Sequence, residues 1–260
     1  MEKRAFVDQL QREVSIPNPP KRIVSLVPSL TEFLHYLGFE NEVIGITKFC
    51  VHPETWFEHK ERIGGTKTLK VDRIIELKPD LVIGNKEENA IEDISALEKH
   101  VPVWMSAIDS FEDAMEMIRQ LGAVLNCEER CSALISKLQS LFGELSTIGR
   151  NKSVLYFIWK EPDYLAGADT FIGAFMEKIG FTNACEISRY PALEALSSAA
   201  ADYVFLSSEP FPFSEKHKAY FQSLFPQSKI VLVDGEMFSW YGSRMLKAAD
   251  YFKTQLISQL

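Results

Sequence analysis

The chain has 260 residues, 46% apolar and 25% charged, an ordinary globular composition that excludes fibrous and disordered classes. That length suits one large domain or two modest ones, each with a real core. A net charge of -8 argues against a nucleic-acid surface, and no apolar run approaches the length of a membrane span.

Met1 to Pro20 is polar and charged and carries no apolar leader stretch. Two expectations fit this opening: a cytoplasmic protein whose native start is Met1, or a periplasmic or cell-surface protein given a new start. Ile23 to Val27, Val43 to Ile46, Leu81 to Gly84 and Val101 to Met105 then read as short buried strands separated by helical stretches. That alternation predicts an α/β fold with a mostly parallel sheet covered on both faces. A helix from about Ser110 to Leu121 closes this first lobe. Glu128 to Thr147 follows, with Leu134, Leu138, Leu141 and Leu145 at three- and four-residue steps. About twenty helical residues span roughly 30 Å, enough to serve as a strut between lobes. The second lobe takes strands Val154 to Ile158, Tyr203 to Leu206 and Ile230 to Val233, and a last helix begins near Gly242. Pro210 and Pro212 mark Glu209 to Phe213 as a loop, since proline supplies no ladder donor. The expected organisation is an N-terminal α/β lobe over 1–125, a linking helix over 126–150 and a C-terminal α/β lobe over 151–260.

One plan is written twice along this order. Arg22 to Val27 leads into the helical run Ser29 to Leu37 and a Gly-Phe-Glu-Asn corner at Gly38 to Asn41. Ser153 to Ile158 leads into Phe171 to Ile179 and Gly180-Phe-Thr-Asn183. Each copy continues with a helix, an aspartate and an apolar strand: Asp72 to Lys78 before Asp80 to Ile83, and Leu193 to Ser198 before Asp202 to Leu206. Two copies predict two similar lobes, and two lobes make a cleft where a small ligand binds.

The sequence holds little that catalysis needs. Gly-x-Ser-x-Gly and Gly-x-Gly-x-x-Gly are absent, and Gly64-Gly65-Thr66-Lys67-Thr68 lacks the first glycine of a phosphate loop. The five histidines never pair at metal-ligand spacing, so no catalytic residue and no metal site is expected. His52, in a loop beside Phe49 and Cys50, is the one histidine placed to touch a ligand. Cys127 and Cys131 stand at i, i+4, a spacing that chelates metals but more often marks half-buried thiols. The acidic run Lys86 to Asn89 follows a strand, where α/β sheets bind ligands; it reads equally well as a solvated helix start. Aromatic residues give a clearer signal. Phe49, Trp159, Tyr164, Tyr190, Phe211, Phe213, Trp240 and Tyr241 all fall in predicted loops, which are usually polar. Rings drawn from both lobes suggest walls for a flat or apolar ligand, with Arg244 placed to pair with its carboxylate or phosphate.

Lys21 to Glu32, Leu37-Gly38, Val43 to Thr47 and Asp72 to Ile83 together resemble the substrate-binding proteins of ABC importers for cobalamin, haem and iron-siderophores, nearest to the cobalamin branch. The resemblance runs from about Lys21 to the final helix. It implies two Rossmann-like lobes with mostly parallel sheets joined by one long rigid helix. It implies a binding protein and not an enzyme, with no cofactor, taking cobalamin or a related metal chelate as ligand. By the same resemblance Phe49 and Tyr190 are rings that hold a corrin; where a third ring stands in that branch, this chain has Gly65-Thr66-Lys67. The family docks on its permease through one acid on each lobe, matched here by Asp72 and, through the internal repeat, Glu194. The implied partners are a small-molecule metal chelate and an ABC permease, with no nucleic acid, no membrane insertion and a monomeric state. The alternative is a cytoplasmic corrinoid- or tetrapyrrole-binding protein with no transporter.

Overall fold

The computed structural model describes residues 2–150, 152–196 and 200–260. They fall into two compact units. The first comprises Met1–Ile108, Glu112–Ser136 and Tyr241–Arg244; the second comprises Asp109–Phe111, Lys137–Trp240 and Met245–Leu260. The helix Glu128–Leu145 begins in one and ends in the other.

The first unit is built on a five-stranded parallel sheet. Its spatial order is Glu61–Arg62, Val43–Ile46, Ile23–Ser25, Leu81–Asn85, Val103–Ser106. The chain fills one side of Ile23–Ser25 first and then the other, so the winding reverses between Ile23–Ser25 and Leu81–Asn85. Every residue of Leu81–Asn85 is buried, as a strand covered on both faces must be. Val24, Leu26, Ile63, Ile74, Val82 and Leu97 lie in one apolar cluster of this unit. A hairpin, Lys3–Val7 with Glu13–Pro17, adds a separate two-stranded sheet whose Val14 and Ile16 alternate inward with exposed Glu13 and Ser15.

The second unit repeats the plan. Tyr203–Ser207 pairs in parallel with Ser153–Trp159 on one side and Lys229–Val233 on the other. Thr182–Asn183 pairs in parallel and Tyr164–Leu165 antiparallel with Ser153–Trp159. The winding again reverses beside the first strand of the repeat. The core of this unit is aromatic: Phe142, from the helix Glu128–Leu145, meets Phe175 at 4.9 Å and Phe111 at 5.2 Å between ring centroids.

The duplicated motifs acquire physical reasons. Asp80, just before Leu81–Asn85, accepts the backbone N–H groups of Lys21 and Arg22, both at 2.8 Å. Asp202, just before Tyr203–Ser207, accepts the Ser153 N–H at 2.9 Å, the Ser153 hydroxyl at 3.0 Å and Lys152 Nζ at 2.8 Å. Each aspartate ties the start of its strand to the start of the neighbouring strand. The Lys152 and Ser153 bonds favour the charged carboxylate and hold Asp202 down at about 2.

The two Gly-Phe corners share one helix end. After Pro28–Tyr36 the Gly38 N–H donates to His35 O and the Phe39 N–H to Leu34 O. After Phe171–Lys178 the Gly180 N–H donates to Glu177 O and the Phe181 N–H to Met176 O. Both glycines are left-handed, with φ of 82° and 88°. This is the Schellman arrangement, in which glycine avoids the Cβ penalty.

The expected strands appear with ends shifted by a residue or two. The helix expected before Asp202 in the second copy, over Leu193 to Ser198, is a single 3-10 turn at Leu193–Ala195, and Ser197 and Ser198 lie outside the described residues. The last helix starts at Arg244 because Gly242, at φ 79°, sits in a turn. The Gly38→Ala variant should lose about 1 kcal/mol from the left-handed backbone alone. The Gly180→Ala variant should lose more, since its new Cβ would also meet Ser146 O at 2.3 Å. Chemical denaturation of the two variants side by side checks that order.

Candidate ligand-binding site

In open α/β sheets ligands bind beyond the carboxyl ends of strands, where the winding reverses. In the first unit that place lies past Ser25 and Asn85. Asn85 organises the loop after its strand: its Oδ1 accepts the Glu87 N–H at 2.8 Å and the Glu88 N–H at 3.2 Å, and its Nδ2 donates to Ser106 Oγ at 3.0 Å. Asn89 secures the far end, accepting the Asn85 N–H at 2.8 Å and donating to Thr66 O at 3.0 Å. The acidic run is therefore a braced loop that leads into the helix Ile91–Leu97.

Tyr241 lies over this loop, 5% exposed, with its hydroxyl donating to Glu88 Oε1 at 3.4 Å. Burial first, and then the Glu88 charge, push the Tyr241 phenol well above its usual range, opposed by the polar side chains of Ser29 and Ser106 beside it. Arg244 Nε donates to Glu32 Oε2 at 2.6 Å, in a pair whose side chains are 4% and 11% exposed. Phe49 is different. It follows Val43–Ile46 and Thr47, and it is 50% exposed, with Lys48 Nζ 5.0 Å from its ring centroid. Beneath it Cys50 is buried between the hydroxyls of Thr31 and Thr47, each 3.1 Å from the sulfur. Burial pushes the Cys50 thiol up. His52 is half-buried three residues beyond Phe49.

In the second unit Trp159 ends the strand Ser153–Trp159, 41% exposed, edge-on to Phe211 at 5.7 Å. Tyr164, half-buried, is paired with Trp159 across the antiparallel strands. Tyr190 is 39% exposed on the loop that Arg189 anchors, through Asp109 Oδ1 at 2.9 Å and Asp169 O at 2.7 Å. Trp240 is only 8% exposed, and its indole N–H donates to Glu209 Oε1 at 3.0 Å. Ser239 Oγ donates to the same oxygen at 2.7 Å. Burial raises the Glu209 carboxyl above its usual range against these two bonds. Phe213 is drawn into the apolar core of this unit, with Phe211 packed against it.

The ring set read from the sequence thus divides. Phe49, Trp159 and Tyr190 present half-exposed faces, Tyr164 is intermediate, and Trp240, Tyr241 and Arg244 are built into the packing of their own units. Asp72 is exposed near the start of the helix Val71–Glu76, and Glu194 is exposed in the turn Leu193–Ala195. Among the described residues neither acid forms an ion pair. Glu209 and Glu32 escaped the sequence reading because isolated carboxylates look solvated until burial is known. Among the described residues no group of three or more His, Cys, Asp or Glu side chains is placed to hold a metal. No described helix is long and apolar enough to cross a membrane.

Two units built on parallel strands, with one helix beginning in the first and ending in the second, thus carry half-exposed rings on loops and at a strand end. Residues 23–228 match the periplasmic binding protein family, and the chain belongs to it. An ABC transporter substrate-binding lipoprotein of Bacillus subtilis is 28% identical over 188 residues, 68% of this chain and 59% of the relative. The chain thus spans less than two thirds of that relative's length. The fold matches the periplasmic vitamin B12 binding protein of Vibrio cholerae at a TM-score of 0.77 and 17% identity, covering 93% of this chain and 98% of the other. It also matches a periplasmic haem-binding protein of Pseudomonas aeruginosa at 0.78 and 19%, covering 92% and 93%.

Because Trp240 supplies a donor to a buried carboxylate, Trp240→Ala should destabilise the second unit by about 3 kcal/mol or more, combining a lost ring with a lost partner. Thermal and denaturant unfolding without ligand would show it as a lowered Tm and midpoint.

Proposed function

We propose that the protein is the substrate-binding component of an ABC-type importer, working as a periplasmic or cell-surface monomer, and that its ligand is a cobalamin-like corrinoid or another planar metal chelate. Membership of the family supports the importer role and does not favour a cytoplasmic corrinoid- or tetrapyrrole-binding protein without a transporter. The observation that carries the ligand class is the set of half-exposed rings Phe49, Trp159 and Tyr190, on loops or strand ends of two units whose other rings are mostly buried. Vitamin B12 and haem, which the two structural neighbours are named for, are metal-bearing macrocycles with flat faces that such rings suit. In this reading Phe49, Trp159, Tyr164 and Tyr190 wall the ligand, and His52 offers it an imidazole. Trp240, Tyr241 and Arg244 set the ground behind them.

Absorbance titration with cobalamin, cobinamide and haemin tests the ligand class. One of the three should bind, and Phe49→Ala should weaken that binding by about 1–3 kcal/mol, roughly fivefold to 150-fold, with Tm unchanged. A flat titration with all three would remove the planar chelate from the proposal.

The importer role has its own test. We assign permease docking to Asp72 and Glu194, whose exposure leaves both free to meet cations on a partner. Rim charges of this kind steer encounter and register more than they add affinity. Reversing both to Lys should abolish uptake in cells while leaving ligand affinity intact. Undiminished uptake by the double variant would overturn the docking assignment.

A further inference from the structure

The corner between the helices Phe111–Val124 and Glu128–Leu145 carries two thiols that the binding function does not use. Asn126 takes the left-handed conformation at φ 53°, and the Cys127 N–H donates to Gly122 O at 2.9 Å, closing the first helix. The Cys131 N–H donates to Cys127 O at 3.1 Å, opening the second. Cys127 is thus held by backbone bonds on both sides, one turn ahead of Cys131, and the two sulfurs lie 3.9 Å apart. Gly122 makes the space: a Cβ there would come within 2.9 Å of Cys131 Cβ and 3.1 Å of its sulfur.

The two thiols differ in access. Cys131 is 1% exposed. Cys127 is half-buried in the wall of a surface cavity of about 560 Å³, together with Leu37, Phe39, Asn126 and Arg130. A hydrogen bond with Cys131 lowers the Cys127 thiol, aided by the Arg130 charge and opposed by burial and Glu128. The same hydrogen bond and burial raise Cys131. An accessible thiol of lowered pKa backed by a buried partner is the arrangement of a nucleophile with its resolving cysteine. One helical i to i+4 bond sets the Cα atoms roughly 6 Å apart, inside the window of about 4.4–6.8 Å that a disulfide spans. Cys127 precedes the first helical residue, so its side chain can turn to close the remaining gap. Cys50 and Cys185, buried and each against oxygen partners in the interior, have no such neighbour.

We propose that Cys127 and Cys131 form a redox-active dithiol whose co-reactant is a low-molecular-weight disulfide of the glutathione type. The Cys127 thiolate attacks one sulfur of that disulfide; an S–S bond forms to Cys127 and one thiolate leaves, taking up a proton from water. Cys131 then gives up its proton and attacks the Cys127 sulfur, forming the intramolecular bond and releasing the second small thiolate. Two thiols of the protein are oxidised and one external disulfide is reduced to two thiols.

The test is to equilibrate the reduced 260-residue chain with mixtures of reduced and oxidised glutathione, quench with acid, and read intact mass and mapped peptides. The wild type should lose two hydrogens on the peptide holding both residues and retain no glutathione. Cys131→Ser should hold one glutathione on Cys127, and Cys127→Ser should take none on Cys131. Thiols unmodified at every ratio would overturn the proposal. So would glutathione retained on wild-type Cys127, or glutathione on Cys131 in the Cys127→Ser variant.

Discussion

A parallel sheet covered on both faces leaves its strands nowhere to meet a polar ligand except at their ends, and that constraint organises both units. Leu81–Asn85 is buried throughout, and Tyr203–Ser207 is buried after its first residue. The amino ends of these two strands are spent on architecture. There Asp80 and Asp202 bind the starting N–H groups of the strand beside them. The carboxyl ends remain for chemistry, and polar side chains gather there: Asn85, Glu88 and Ser106 in one unit, Ser207 and Glu209 in the other. Ser207 shows the same bracing logic as Asn85, accepting the Tyr156 hydroxyl at 3.1 Å and donating to Glu209 O at 2.6 Å. Loops fixed in this way can present rings to a ligand without first having to be ordered by it.

The polar residues in the opening motif, from Ser25 to Glu32, follow from the same constraint. They stand where a strand ends and a helix begins, inside the unit, so each needs a partner. Thr31 Oγ1 donates to Val27 O at 2.9 Å and is 2.8 Å from Ser25 Oγ, closing the strand-to-helix turn with its own side chain. Glu32 takes Arg244, which the chain returns to the first unit within the short segment Tyr241–Arg244. Gly242 lets that segment lie close, since a Cβ there would already be 3.3 Å from Phe33 Cβ. Removing one member of a buried ion pair leaves the other without compensation, which costs far more than the intact pair contributes. Glu32 and Arg244 therefore constrain one another, although 212 positions separate them in sequence.

The fold was legible because the signals that encode it are local and doubled. Apolar runs marked the central strands, and the Gly-Phe corners marked helix ends whose left-handed glycines recur at Gly38 and Gly180. The short edge strands Glu61–Arg62 and Thr182–Asn183 left no such trace, because two residues carry no period. The hairpin Lys3–Val7 with Glu13–Pro17 hid in a charged segment, since only Val14 and Ile16 turn fully inward. The rings proposed for the site stood out in the sequence as positions, but their exposure did not. Phe49 and Trp240 look alike in sequence, each a ring in a short loop after a strand or helix. Only the partner of Trp240, Glu209, and the exposure of Phe49 separate them, and both are properties of packing between distant segments.

Phe49 also bears on the segment where, by the resemblance, the cobalamin branch carries a third ring and this chain does not. Gly65-Thr66-Lys67 stands there, and a Cβ on Gly65 would lie 3.2 Å from Cε2 of Phe49, 3.0 Å from Thr68 Oγ1 and 3.3 Å from Cε of Lys48. The bare backbone of Gly65 is thus the floor on which the Phe49 ring and the Lys48 stem rest. A large side chain at 65 would have to displace the ring that faces solvent. On this loop the first unit consequently presents the Phe49 ring flanked by a lysine, where two rings would present a wider apolar wall. Under the proposed function that substitution shifts the balance of the site: less stacking area on this side, and a cation beside the ring that suits a ligand carrying carboxylates at its edge.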